Sequence, residues 1–294
     1  MTGRMKNKAT TVVEVMTIIL ICVFVLFVLF FILRNFRGTA YRMVCGTNLA
    51  YIGMTMMVYA NDYNNEYPRA GGPTSVWARN IKDWKADNRY DAYGLAKDDS
   101  GGQGSINSSL YLLVKYAKLK PKYFICIKDK GVTEFRPAAE GEGGRDLIEL
   151  WDFGSNPARH VSYAYQMVYG PYTYKLTGSI DRGPAILADR NPWIDSPFQK
   201  AKDFSKFKTD IEPFNRTREQ ARCGNSFSHK DAGQNVTFMD GSTRFESRPY
   251  CGVDNDNIYT YWDGDDKVRG KPAKFGSEPA SELDSLLVND PPVK

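Results

Sequence analysis

Apolar side chains run almost without interruption from Val15 to Leu33, 19 positions in which Thr17 is the one polar member. At about 1.5 Å of rise per residue, such a run spans a hydrocarbon core of ~30 Å as a helix. A helix is the form in which a single segment satisfies its own backbone in lipid. After Leu33 the pattern changes. Tyr41, Cys45, Leu49, Ile52, Met56, Tyr59 and Tyr63 recur every three or four residues, the stripe of a helix that packs along one side. Asn64, Asn65 and Pro68 end it. The two patterns predict one helix over residues 10–65, transmembrane over 15–33 and on the order of 80 Å long. Gly38 costs that helix about 1 kcal/mol without forbidding continuity.

Later patterns are shorter. Residues 68–103 are rich in Gly, Asp and Trp and hold no period. Residues 108–119 predict a short amphipathic helix, stopped by Pro121, and residues 123–127 a buried strand carrying Cys126. Strands follow at 160–169 and 185–188. Residues 235–239 and 242–246 flank Asp240-Gly241, a strong hairpin signal. A last strand is expected at 258–262. From Asp263 the chain is charged and proline-rich, so 267–294 are expected to form a poorly ordered tail behind a globular part at 66–266. The predicted class is α+β: a long N-terminal helix, then a mainly antiparallel sheet with short helices.

Charge sharpens the N-terminal picture. The chain carries a formal +5, and three positives, Arg4, Lys6 and Lys8, lie in residues 1–9. Without them the balance is +2, and no basic patch is concentrated elsewhere, so nucleic acid is not an expected partner. Arg34, Arg37 and Arg42 match the leader's three positives, so loop charge does not set orientation. Glu14 stands at the lip of the apolar run. A carboxylate at membrane depth costs on the order of 2–3 kcal/mol and calls for a partner. Cleavage between Ala9 and Thr10 would supply one, because the new α-ammonium of Thr10 would lie about one helical turn from Glu14. Two alternatives are an uncleaved signal anchor and a signal peptide cut near Gly38-Thr39-Ala40.

A short basic leader, a small residue at the cut and an apolar helix with Glu at the fifth mature position together resemble type IV prepilins and pseudopilins. Ala9 stands where that pattern has Gly, and Thr10 where it has Phe or Met. Further blocks are similar to the prepilin-type processing-associated family whose signature is His, nine residues, Asp-Gly. They are Cys45-Gly-Thr-Asn48-Leu49 with Tyr59-Ala60-Asn61-Asp62-Tyr63 and Tyr67-Pro68, then Phe124-Ile125-Cys126, then His229 to Gly241, here with ten residues between His229 and Asp240. The resemblance implies a pilin-like fold, and a pseudopilin or minor-pilin subunit of a type II secretion or type IV pilus-like assembly. It implies cleavage and N-methylation by a prepilin peptidase, an inner-membrane anchor with a cytoplasmic N-terminus, and a periplasmic or extracellular domain. Other pilin-like subunits would be partners through the helix. The alternative function is an anchored envelope protein whose outer domain binds a ligand such as a polysaccharide.

Candidate chemistry elsewhere is sparse. His229 and Asp240 lack a readable nucleophile, so no enzyme is expected, and His229, Asp240 and Gly241 are read as structural. Cys22 lies in the apolar run as a small hydrophobe. The even number beyond it, Cys45, Cys126, Cys223 and Cys251, fits an oxidising compartment. A Cys223–Cys251 bridge would bracket the hairpin, close a loop of about 28 residues and contribute roughly 3 kcal/mol. Cys45–Cys126 would be the second pair, and buried thiols are the alternative. No cofactor is expected. Asp254, Asp256, Asp263 and Asp265 offer a calcium reading against that of solvated turn carboxylates, though they do not match an EF-hand. The run of tyrosines at 163, 165, 169, 172 and 174 is either a binding face or a set of cross-strand pairs.

Overall fold

The computed structural model describes residues 11–172, 183–211 and 217–293. Helix α1 (Val12–Asp62) is continuous across the change of pattern. It contributes to both compact units of the chain, residues 1–41 and residues 42–294. In the first unit every side chain described from Val12 to Leu33 is exposed, including Leu20, Phe24 and Leu26. This is a helix long and apolar enough to cross a membrane. In the second unit Cys45, Leu49, Ile52, Met56 and Ala60 are fully buried, the stripe expected from their spacing.

Next come β1 (Val76–Trp77), α2 (Arg89–Tyr93), β2 (Gln103–Gly104) and α3 (Ile106–Lys115). Helix α3 begins at a capping box, with Ser105 accepting from the Ser108 N–H and the Ser108 hydroxyl bound to the Ser105 backbone. Then follow β3 (Tyr163–Gln166), β4 (Ala185–Asp189), α4 (Arg218–Arg222), β5 (Gln234–Phe238), β6 (Thr243–Glu246), β7 (Thr260–Asp263), β8 (Asp266–Pro272) and β9 (Leu287–Val288). Five strands form one antiparallel sheet in the order β6-β5-β4-β3-β9, while β7 and β8 make a separate ribbon.

Both faces of the five-stranded sheet are covered. Tyr163, Tyr165 and Val288 join the cluster that contains the α1 stripe and α3. Their neighbours Ala164 and Leu287 join a second cluster with Phe207, Ile258 and Tyr259. Residues i and i+1 of a strand point to opposite faces, so every residue of β3 and β4 is buried. Tyr163, Tyr165 and Tyr169 are therefore core residues and not an exposed binding face. Tyr174 lies outside the described residues.

Two glycines set the distance from α1 to the sheet. A Cβ on Gly46 would lie 2.9 Å from Asn235 Oδ1, and one on Gly53 would lie 2.8 Å from Thr237 Cγ2. The two positions are two helical turns apart on one face, and both meet β5. Glycine inside a helix costs about 1 kcal/mol relative to alanine; here it permits the close approach.

Two expectations are corrected. Residues 123–127 are not a strand: a 3₁₀ turn covers Pro121–Phe124, and no ladder pairs Cys126. Residues 267–293 are not a loose tail. They supply most of β8 and all of β9, and β9 is an edge strand of the main sheet. Leu286, Leu287, Val288 and Asp290 are buried. Asp290 accepts from the Ile106 N–H at 3.1 Å, the Asn107 N–H at 2.7 Å and the Trp77 indole at 2.8 Å, which caps α3. Burial pushes its pKa up to about 6, and these hydrogen bonds pull the other way.

Candidate functional site

Three separated sequence blocks meet at one buried point. Cys45 from α1 and Cys126, which follows the 3₁₀ turn, form a disulfide with Cα atoms 5.0 Å apart, across 81 residues of sequence. His229 ends a single 3₁₀ turn, positioned by the Ser226 hydroxyl, which accepts from the Ser228 N–H. Its Nε2 lies 3.8 Å from Cys126 Sγ, 3.3 Å from Asp189 Oδ2 and 3.2 Å from Asn235 Nδ2. Asp189, at the end of β4, also accepts from the Asn235 backbone N–H at 2.7 Å. All five side chains are buried. Phe245 packs on the His229 ring, and the Arg42 guanidinium sits 4.4 Å from the centre of Phe245. Tyr163 adds a hydroxyl that donates to the Cys45 carbonyl at 3.2 Å.

The sulfur atoms and a His229 ring nitrogen all lie within 4.8 Å of one another. With the sulfurs bonded to each other, neither is a thiolate ligand, so the cluster acts as a clasp. It ties α1 to β4, β5 and the segment after α3. A disulfide across this many residues contributes about 4–5 kcal/mol on the chain-entropy account.

The other candidate residues disperse. His229 and Asp240 are not in contact among the described interactions. Asp240 Oδ1 accepts from the Ser242 N–H at 2.8 Å, Gly241 adopts φ +80°, and the Gly241 N–H donates to the Phe238 carbonyl. The pair thus belongs to two structures, a clasp and a hairpin turn. Cys223 and Cys251 are not bridged; each packs half-buried against the second core cluster. Loop length favours that bridge, whereas bridging depends on where the two Cβ atoms point.

The four carboxylates of the calcium reading are not gathered. Asp254 pairs with Lys267 at 3.4 Å and Asp263 with Lys271 at 2.8 Å. Asp265 is exposed. Asp256 is buried, where it accepts from the Trp262 indole at 2.7 Å and the Ser285 N–H at 2.8 Å. Burial, with the Asp284 charge second, pushes its pKa up to about 8.

At the N-terminus, Ala9 and Thr10 lie outside the described residues. Glu14 Oε2 accepts from the Thr11 N–H at 2.8 Å, and Thr11 Oγ1 accepts from the Glu14 N–H at 3.3 Å. This is a reciprocal capping box. The motif Thr11-Val-Val-Glu14 signals it in the sequence, and Glu14 is thus partnered within its own helix end and is not a lone carboxylate. The second oxygen, Oε1, takes no hydrogen bond among the described residues. No protein-family model, curated protein or solved structure matches the chain.

Proposed function

We propose that the chain is a pilin-like subunit, anchored by the first half of α1 in a bacterial inner membrane and assembled with its like through that helix. The carrying observation is the character of Val12–Leu33: apolar on every side, fully exposed in the single chain, with one carboxylate at its start. A surface of that extent requires lipid or other apolar helices to cover it. The disulfide clasp fits an oxidising compartment for residues 42–294. The function is assembly and not turnover. After cleavage at Ala9–Thr10 by a prepilin peptidase, Glu14 Oε1 would pair with the α-ammonium of a neighbouring subunit, since two groups costly in lipid neutralise each other.

Glu14 has two separable roles, a cap for its own helix and a charge for a neighbour. Glu14→Gln retains a capping oxygen and removes the charge; Glu14→Leu removes both. In membranes from the native host, both variants should insert, and both should lose the cross-linked subunit ladders that the unaltered chain gives. Ladders of unaltered strength in Glu14→Gln would reduce Glu14 to a helix cap and take away the basis for charge-paired assembly.

A further inference from the structure

A cavity of about 290 Å³ opens where five segments of the second unit converge. Tyr63 comes from the residues just after α1, Arg69 from the loop that follows, Arg89 and Tyr93 from α2, and Tyr116 from the cap of α3. Trp151 closes one side. The walls pack on one another. Tyr63 stacks on Tyr59 with ring centroids 4.2 Å apart and lies 5.7 Å from Tyr116. Trp151 meets Tyr93 edge-on at 5.6 Å, its indole donates to the Ala86 carbonyl at 2.8 Å, and Lys115 Nζ sits 3.8 Å from its ring centre. The Arg89 guanidinium is held by Asp99 at 3.5 Å and the Gly71 carbonyl at 3.5 Å.

Two polar groups of the lining residues have no hydrogen-bond partner among the described residues. Arg69 makes no hydrogen bond and no ion pair among the described residues. The Tyr93 hydroxyl is buried, on a side chain only 2% exposed, and forms no hydrogen bond. That hydroxyl has essentially no accessible surface and lies behind the cavity wall, so the Arg69 guanidinium is the unpaired polar group that the cavity offers to a ligand. That guanidinium specifies an anion, which arginine takes in a planar two-bond geometry. The aromatic walls specify the rest. Ring faces carry partial negative charge and attract the polarised C–H groups on the apolar face of a sugar ring. A site for bare phosphate would instead be dominated by cationic and backbone N–H donors. Aromatic rings outnumber guanidinium groups here.

We propose that this cavity binds an acidic saccharide, one pyranose unit against the aromatic walls with its anionic group on Arg69. The size suits one sugar ring with its substituents, at the small end of ligand cavities. Tyr59, near the end of α1, belongs to the lining, whereas the apolar half of that helix, through which assembly is proposed, does not. A carboxylate of a uronic acid and a sulfate ester present the same chemistry to Arg69, and the experiment separates them.

The test is isothermal titration of the full chain in lipid nanodiscs with four probes: trigalacturonate, a sulfated disaccharide, neutral cellotriose and inorganic phosphate. At low salt an acidic probe should bind at least about tenfold more tightly than cellotriose, a difference of ~1.4 kcal/mol, and should weaken as salt rises. Preference between the two acidic probes assigns the anion. Arg69→Gln should cost about tenfold. Tyr116→Leu removes an exposed ring of the wall: saccharide affinity should fall several-fold while the melting temperature stays nearly unchanged. A tyrosine with no part in binding would leave the affinity alone. The proposal is overturned if neither acidic probe binds, if cellotriose or inorganic phosphate binds as tightly as the acidic probes, or if affinity is unchanged in both variants.

Discussion

The two halves of α1 are one helix with two kinds of surface. From Val12 to Leu33 the residues are apolar on every side, and all that are described are exposed. From Cys45 to Ala60 one stripe is apolar and buried, and Tyr51, Met54 and Val58 between its members face outward. Hydrophobicity alone therefore does not determine burial within this chain. Arrangement around the helix axis does: an all-round apolar surface needs an apolar solvent, whereas a stripe needs one packing partner.

The same substitution in each half separates them most strongly. Leu49→Asp places a charge at a position with no exposure and should unfold residues 42–294, a loss beyond about 4–5 kcal/mol that circular dichroism would register. Leu20→Asp, at a side chain 68% exposed, should leave the melting of that unit unchanged. Its cost should appear as poorer membrane insertion, about 2.5–3.5 kcal/mol near a helix centre. If the two variants melt alike, the distinction between the halves fails.

Removing the clasp comes next. The Cys45→Ala, Cys126→Ala double variant should lose about 4–5 kcal/mol. Denaturant unfolding under non-reducing conditions measures it, and the Cys223→Ala, Cys251→Ala double variant should show no comparable loss. Gly53→Val should cost about 1–3 kcal/mol by forcing α1 off Thr237, readable as a lower denaturation midpoint at unchanged slope.

The smallest expected effect is a pH dependence. Asp256, Asp284 and Asp290 have folded-state pKa values raised to about 8, 6 and 6, chiefly by burial, from an ordinary value of 3.8. The folded state then binds more protons than the unfolded chain between these limits. Their contribution to stability is full below pH ~4 and is lost as pH rises toward 8. Melting should therefore occur at lower temperature at pH 8.5 than at pH 5, and Asp256→Asn should flatten the upper part of that slope. A rise in stability across the same range would contradict the burial of these carboxylates.

How much was legible follows from which side chains carry the burial. α1, α3, β4 and the β5–β6 hairpin are written in apolar periodicity and in Asp240-Gly241, and the structure forms them close to the expected residues. Residues 267–293 read as a tail in the sequence because much of their buried surface is polar. Asp284, Ser285, Asn289 and Asp290 are fully or almost fully enclosed, and several of their side-chain oxygens accept from backbone N–H groups. Composition reads such residues as solvated. The strand expected at Cys126 failed because a short apolar run says that a segment is buried and not that it pairs in a sheet. The clasp unites blocks that the sequence sets apart, and Asp189 joins it from an apolar strand that carried no chemical signal. The capping box at Thr11 and Glu14 was readable from spacing alone.

The central claim, that α1 is a processed assembly helix as well as an anchor, is tested most directly by the mass and N-terminal residue of the chain purified from native membranes. The account predicts a chain beginning at Thr10 with one added methyl group. A chain that retains residues 1–9 would contradict it and leave α1 as an anchor alone.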